Sequence, residues 1–252
     1  AHLTGNPLVL AEAFTSRPPL SGWREHPRLL KPLGDAAYAA GVTGFVLHSY
    51  VHQPRSHLAP GFTHGRYGTQ FGRLNSWWSL APAWIDYLKR CQLLLQHGRA
   101  VADVLQLQEE RLKTESREIP PLAAEGHRAD LLSVSQLDQI DVRDGELRTP
   151  AGATYRVLQL PVAWVATRST LEHLFRLQNA GAVLAGPPPF APASLIDTGK
   201  HRPEWEALVA KIWLGSRRPA ETLSDALARL QVAPDFVARA NDEPTDVRFV
   251  HR

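Results

Sequence analysis

Methionine is absent from this chain of 252 residues, and cysteine occurs once, at Cys91. A single thiol excludes an internal disulfide and any cysteine-rich zinc site. No apolar run approaches the length of a membrane-spanning helix. The phosphate-cradling G-x-x-x-x-G-K-[ST] pattern and the dinucleotide fingerprint G-x-G-x-x-G are missing, as is the nucleophile elbow G-x-S-x-G. Basic residues are not massed: 28 Lys and Arg against 25 Asp and Glu leave a net charge of +3, scattered along the chain. A nucleic-acid surface needs its cations on one face, so no nucleic-acid partner is expected, and no membrane. What is present is a globular composition, 44% hydrophobic and 21% charged. The chain opens at Ala1 without an initiator and closes on Val247-Arg-Phe-Val-His-Arg252, which reads as a strand cut short. An internal piece of a longer protein is the expectation.

The pattern along the chain predicts an α/β fold. Pro7 to Phe14 is a short apolar run and reads as a buried strand. Pro27 to Ala40 reads as a helix, with Pro27 at a first-turn position and Gly41 just past its end. Val42 to Tyr50 reads as a second buried strand, so the three form a βαβ unit with parallel strands. Residues 53 to 76 carry no helical or strand period, yet five aromatics between 62 and 78 argue against disorder. A structureless connection of that length is usually functional. Ser76 to His97 reads as a helix with Trp77, Trp84, Leu88, Cys91 and Leu95 near one face and Gly98 as its stop.

Beyond a boundary near residue 99 the composition shifts and a second α/β alternation begins. Strands are expected at 101–107, 155–160 and 182–186, with a hairpin at Asp144-Gly145. A helix is expected near 129–138, and another opening at Ser169, where Ser169-Thr-Leu-Glu172 has capping-box spacing. Further helices are expected near 203–213 and 222–230. Gln108 to Arg128 reads as an exposed charged loop.

Three groups of residues could carry chemistry. Glu12 lies near the C-terminal end of the first strand, where alternation puts it with Leu8, Leu10 and Phe14. Active sites of parallel barrels are built at that end, although a structural carboxylate bonded to an arginine or an amide is the plainer alternative. His48, Tyr50 and His52 share one face at the end of the second strand. They could hold hydroxyls, orient a carboxylate or ligate a metal, but their spacing matches no standard zinc pattern, and pocket lining is the expected role. The loop Gly61 to Trp78 interleaves glycines with His64, Gln70, Arg73, Trp77 and Trp78. Aromatic faces suit sugar C–H surfaces and the polar side chains suit hydroxyls. One of the two tryptophans should instead anchor the following helix, because adjacent helical residues point apart. Cys91, mid-helix among leucines, reads as a packed thiol.

The segments Ala11-Glu-Ala-Phe-Thr-Ser16, His48-Ser-Tyr-Val-His-Gln-Pro54, Gly61 through Trp78 and Trp84 through Gly98 resemble glycoside hydrolase family 106, the bacterial α-L-rhamnosidases. So do Ala102-Asp-Val104, Tyr155-Arg-Val-Leu-Gln-Leu-Pro161 and Gly181-Ala-Val183. The resemblance covers nearly the whole chain and is most specific over 61–104. It implies that residues 1–99 are the last strands and helices of a catalytic (β/α)8 barrel. Residues 100–246 would be a flavodoxin-like α/β domain, and 247–252 the start of a further truncated strand or domain. It implies an inverting hydrolase of terminal α-L-rhamnosyl groups, with a carbohydrate substrate, often a calcium ion, no organic cofactor, and a periplasmic or secreted location. Glu12 matches a family active-site glutamate and is assigned the base role. Phe14, His48, Tyr50, His52, His64, Gln70, Arg73, Trp77 and Trp78 are the expected substrate contacts. The acid is expected upstream of Ala1, and the piece alone should be inactive. A galactosidase-like barrel enzyme and a non-catalytic carbohydrate-binding relative are the alternatives; an amidotransferase-like module lacks its cysteine. The oligomeric state is not encoded in any pattern found.

Overall fold

A computed structural model describes residues 1–55, 57–108, 126–240, 243–244 and 247–252; the loop expected at 108–128 lies almost wholly outside them. The first unit starts with β1 (Leu10–Ala13), α1 (Pro27–Ala39) and β2 (Gly44–Leu47). The strands pair in parallel, from Leu10 opposite Gly44 to Ala13 opposite Leu47. This is the expected βαβ unit, with shorter strands than the apolar runs suggested. Leu30, Gly34 and Tyr38 recur every fourth residue, and α1 buries them. Gly34 suits the close packing there, since a Cβ would stand a tight 3.3 Å from the Phe14 ring. Pro32 lies inside α1 without ending it.

A 3-10 turn at Trp78–Leu80 leads into α2 (Ala81–Gln96), and Gly98 follows at φ 72°. Ala13, Phe14, Leu30, Tyr38, Phe71, Trp84 and Leu88 form the first core, with Phe45, Leu47, Cys91 and Leu95 packed against it. Phe71 lies parallel to Trp84, ring centroids 5.9 Å apart. Both helices cover one face of the β1–β2 pair. The other face is bare: Leu10 is 60% exposed and Val46 55%.

The second unit runs through β3 (Val104–Leu107), β4 (Ala129–Leu132), and a meander of β5 (Asp141–Arg143), β6 (Glu146–Arg148) and β7 (Thr154–Tyr155). It continues with β8 (Val157–Gln159), β9 (Val165–Ala166), α3 (Arg168–Asn179), β10 (Val183–Ala185), β11 (Ala191–Pro192), α4 (Leu195–Thr198), α5 (Arg202–Trp213) and α6 (Leu223–Arg229). A short hairpin joins β12 (Arg239–Ala240) to β13 (Glu243–Pro244). The main sheet is parallel, in the order β10-β8-β3-β4. Alternate residues divide between its faces. Leu105, Leu107, Leu158 and Leu184 pack with Leu171, Leu174, Trp205 and Ile212 of α3 and α5. Val104, Val157 and Ala185 pack with Ala226 and Leu227 of α6.

Several expectations are corrected. Residues 129–138 are not a helix: Ala129–Leu132 is a strand, and a 3-10 turn at Val134–Gln139 follows, opened by a Ser133/Gln136 capping box. The cap of α3 is Thr167, whose hydroxyl accepts the Thr170 N–H, so Ser169 lies inside the first turn. Residues 247–252 form no strand. They run back over the junction, where Val101 N–H donates to His251 O and Arg252 donates to His97 O. The hairpin at Asp144-Gly145 is present, with φ of 54° and 79° as a type I′ turn demands.

Candidate active site

The site is assembled where β1 and β2 end. His48 N–H donates to Ala13 O (2.6 Å), carrying the ladder one residue past the strands. The loop then returns to both exits. Gly68 N–H donates to Ser16 O (3.0 Å), and Thr69 N–H reaches both Phe14 O and His48 O (3.1 Å each). Ser49 N–H donates to Thr69 O (2.8 Å) and Phe71 N–H to Ser49 O (3.0 Å). The centre of the long connection is thus an extended segment laid along two strand ends. Its partners stand some twenty and fifty residues away, so local periodicity carried no trace of it. Gly68 is needed for this approach, at φ 86° and with a would-be Cβ 2.5 Å from the His48 ring.

Glu12 is exposed on the bare face with Leu10 and Val46, away from the helices. Its Oε1 accepts from the Thr15 hydroxyl at 3.0 Å. Phe14 does not share that side: alternation stops at Ala13, and Phe14 is buried against Phe45 and Trp84, at 5.3 and 5.7 Å between ring centroids. The structure therefore makes Phe14 a packing residue rather than a substrate contact. His48 stands at the exit of β2, with the edge of His64 against it at 5.8 Å.

Tyr50, Gln70 and Arg73 meet in a shallow pocket with Trp23, Gln53 and Phe71. Gln53 holds that wall together. Its amide bonds both N–H and C=O of Phe62, and its own carbonyl accepts from Arg73 at 2.7 Å. Glu12, His48, His52 and His64 do not line this pocket; His52 is exposed beside it. Trp77 and Trp78 both pack partly buried on the first core, so the expected division between one core ring and one free ring is not observed. Trp77 Nε1 donates to Glu25 O at 2.8 Å.

Glu25 is the residue that sequence reasoning passed over. It is 3% exposed, and burial holds its carboxyl above the usual carboxylate range despite the pull of the Ser16 and Thr69 hydroxyls. Nothing around Arg24-Glu-His26 in the sequence marks it, because its cover comes from distant loop residues and Trp77. The other acids of the first unit are helical: Asp35 pairs with Lys31 and Asp86 with Lys89. Tyr87 also donates to Asp35, and its hydroxyl is pushed up to about 12, chiefly by burial and by that carboxylate. Among the described residues no three acidic, histidine or cysteine side chains cluster to hold a metal ion.

The family model of alpha-L-rhamnosidase, glycoside hydrolase family 106, matches residues 1–252. A protein of Formosa agariphila described as a putative beta-glucuronidase is 36% identical over 252 residues, which are 100% of this chain and 21% of that protein. The structure of a rhamnosidase from Novosphingobium sp. PP1Y superposes with a TM-score of 0.87 at 32% identity, over 100% of this chain and 25% of that one. The chain thus spans between a fifth and a quarter of these relatives' length. It belongs to glycoside hydrolase family 106, the alpha-L-rhamnosidase family.

Proposed function

We propose that this chain supplies one catalytic carboxylate and part of the sugar-binding wall of an inverting α-L-rhamnosidase. The carrying observation is Glu12, an accessible carboxylate near the C-terminal end of a parallel strand, on the face opposite the helices and next to the strand that ends at His48. That is where a barrel enzyme builds its site. The β1–α1–β2 unit with α2 is the closing part of a (β/α)8 barrel, and its bare face is the barrel interior. The parallel β10-β8-β3-β4 order, with helices on both faces, supports reading the second unit as a flavodoxin-like domain.

In this reading the Glu12 carboxylate takes a proton from the water that attacks the anomeric carbon. A second carboxylic acid protonates the departing oxygen from the other side of the ring, and the two carboxyls stand roughly 6.5–9.5 Å apart. Neither Asp35 nor Asp86 can be that acid, since both lie on the outer helices, and Glu25 is buried. The acid belongs to another part of the complete protein, so the 252-residue chain alone is inactive. His48 and His64 border the reacting sugar, while Tyr50, Gln70 and Arg73 bind hydroxyls of the substrate.

The test is release of nitrophenol from 4-nitrophenyl α-L-rhamnoside by the complete gene product, with the β-glucuronide and β-galactoside run beside it. Turnover on the rhamnoside that vanishes in Glu12→Gln supports the assignment. Turnover on another glycoside alone changes the sugar, and silence on all of them favours a carbohydrate-binding relative.

A further inference from the structure

The pocket past the end of β2 is lined without Glu12 or His48, yet its walls have the features of a binding place. It encloses about 280 Å³ with its open mouth counted, the scale of one ring rather than a chain of them. Trp23 forms part of the wall with its backbone in the left-handed region, at φ 70°. For so bulky a residue that conformation is an outlier, and it persists only where the surroundings hold it. Gly61 leaves room for the ring, since a Cβ there would stand 2.7 Å from Leu74 Cδ1 and 3.3 Å from Trp23 Cη2. The Trp23 ring joins none of the hydrophobic cores. Its indole N–H has no partner among the described residues. Tyr50, 72% exposed, lies over Gly72. Gln70 is only 4% exposed, and its carbonyl is taken by the Asn75 amide at 2.9 Å. The Gln70 side-chain amide, in contrast, has no partner among the described residues. An amide left unpaired in a buried wall is costly, and a ligand hydroxyl would pair it.

We propose that this pocket is the subsite of the leaving group, shaped for a second pyranose ring, and that Trp23 sets the preference for that ring. The inference rests on the reading of Glu12 as the base, and deepens it. In an inverting hydrolysis the base stands on the face of the sugar opposite the departing oxygen. The rhamnosyl ring then lies beside Glu12, and whatever hangs on the departing oxygen lies away from it. The pocket answers to that second place, because it is formed beyond β2 and Glu12 is no part of its wall. A pyranose also matches the lining chemically. Its C–H faces suit the rings of Trp23 and Tyr50, and its hydroxyls suit the Gln70 amide and the indole N–H. Binding energy from such a remote ring can be used at the reacting centre, so it is read in kcat/KM.

The test gives the complete gene product two kinds of substrate. In α-L-rhamnosyl fluoride the leaving group is a single atom, whereas the methyl glycosides of rhamnosyl-glucose and rhamnosyl-galactose carry a second ring. The quantity followed is kcat/KM on the better disaccharide divided by kcat/KM on the fluoride. Trp23→Gly removes the ring and leaves a residue at ease at φ 70°. It should lower that ratio by about tenfold, the worth of one buried ring face. Trp23→Phe restores an apolar ring and should recover most of the ratio, while Gln70→Leu should lower it. A Trp23 that serves only the fold would lower both rates together, and an unchanged ratio in Trp23→Gly overturns the proposal. A wild type that cleaves the fluoride but neither disaccharide overturns it too. If the wild type cleaves none of the three, the reading of Glu12 fails on its own. Calorimetric titration with the intact disaccharides then decides the pocket. Binding about tenfold weaker in Trp23→Gly supports it, whereas equal binding, or none by the wild type, overturns it.

Discussion

The two units solve the same packing problem to different degrees. In the second, a four-stranded sheet has an apolar layer on each face. Leu105, Leu132, Leu158, Val104 and Val157 are wholly buried between α3 and α5 on one side and α6 on the other. In the first, two strands are covered on one face only. Leu10 and Val46 are exposed on the other, beside Glu12. A parallel sheet is stable when both faces are covered, so the first unit is the half that depends on more structure than it contains. The proposed chemistry uses that unfinished face. A finished sheet such as β10-β8-β3-β4 has no comparable surface on which to hold an accessible carboxylate between strands.

The largest expected effect tests whether the bare face is the working face. In the complete protein, Glu12→Gln should lower turnover by about 10²–10⁴-fold, the range of a general base, while rhamnose binding changes little. Near-normal turnover would reduce Glu12 to a surface carboxylate and remove the functional side of the contrast. Stability provides the next test. Leu171→Ala, in the core under α3, should cost about 2–5 kcal/mol in urea unfolding. Val46→Ser in the 252-residue chain should change stability by less than about 0.5 kcal/mol, since a solvated side chain loses little. In the complete protein the same Val46→Ser should cost clearly more, because there the face is covered. Equal effects of Val46→Ser in both chains would mean the face is a true surface.

Legibility in the sequence follows the same division of causes. The helix α2 could be read because Trp84, Leu88, Cys91 and Leu95 keep a helical period over sixteen residues. The strand at Ala129–Leu132 could not, since four residues followed by apolar Val134 and Leu137 mimic a helical face. The place of Glu12 on its strand was visible because a carboxylate at the end of an apolar strand is conspicuous. Phe14 was misplaced because strand alternation was extended one residue past the strand. Glu25 and the pairing of Thr69 were hidden, because both arise from contacts between segments far apart in the chain.

A pH series sharpens the comparison, since Glu25 of the first unit is raised whereas Asp130, Asp141 and Asp197 of the second are lowered. Asp130 is buried, which alone would raise its pKa. Its bonds to His2 (2.7 Å) and the Tyr155 hydroxyl (2.8 Å), with the nearby Arg128 charge, bring it below the usual value of 3.8 instead. A lowered carboxylate contributes stability that is present above its unfolded pKa and lost as pH falls through the folded one. Glu25 is raised above 4.5 by burial, so its contribution is present below pH 4.5 and lost as pH rises through its folded value. Acidification below pH 4 should therefore loosen the second unit, and alkalinity the first, as read by hydrogen exchange in peptides of each. Asp130→Asn should lessen the acid limb and leave the alkaline one, and Glu25→Gln the reverse. Parallel behaviour of both units would mean that they respond as one body and that local titration does not set the limits.

The smallest effect concerns the tryptophans, which sequence reasoning had split between core and substrate. Both rings rest on the first core, but among the described residues only Trp77 of the two makes a hydrogen bond, to the carbonyl of Glu25. Trp77→Phe keeps an aromatic ring against Phe71 and Trp84 and removes that donor. The expected cost is about 0.5–1.5 kcal/mol for one bond lost, with the alkaline loosening of the first unit made larger because the segment bearing Glu25 is less firmly held. Trp78→Phe removes no such bond and should leave the pH response as it was. If Trp78→Phe instead weakens rhamnose binding at unchanged stability, its ring reaches the sugar, and the bare face extends further toward α2 than the packing shows.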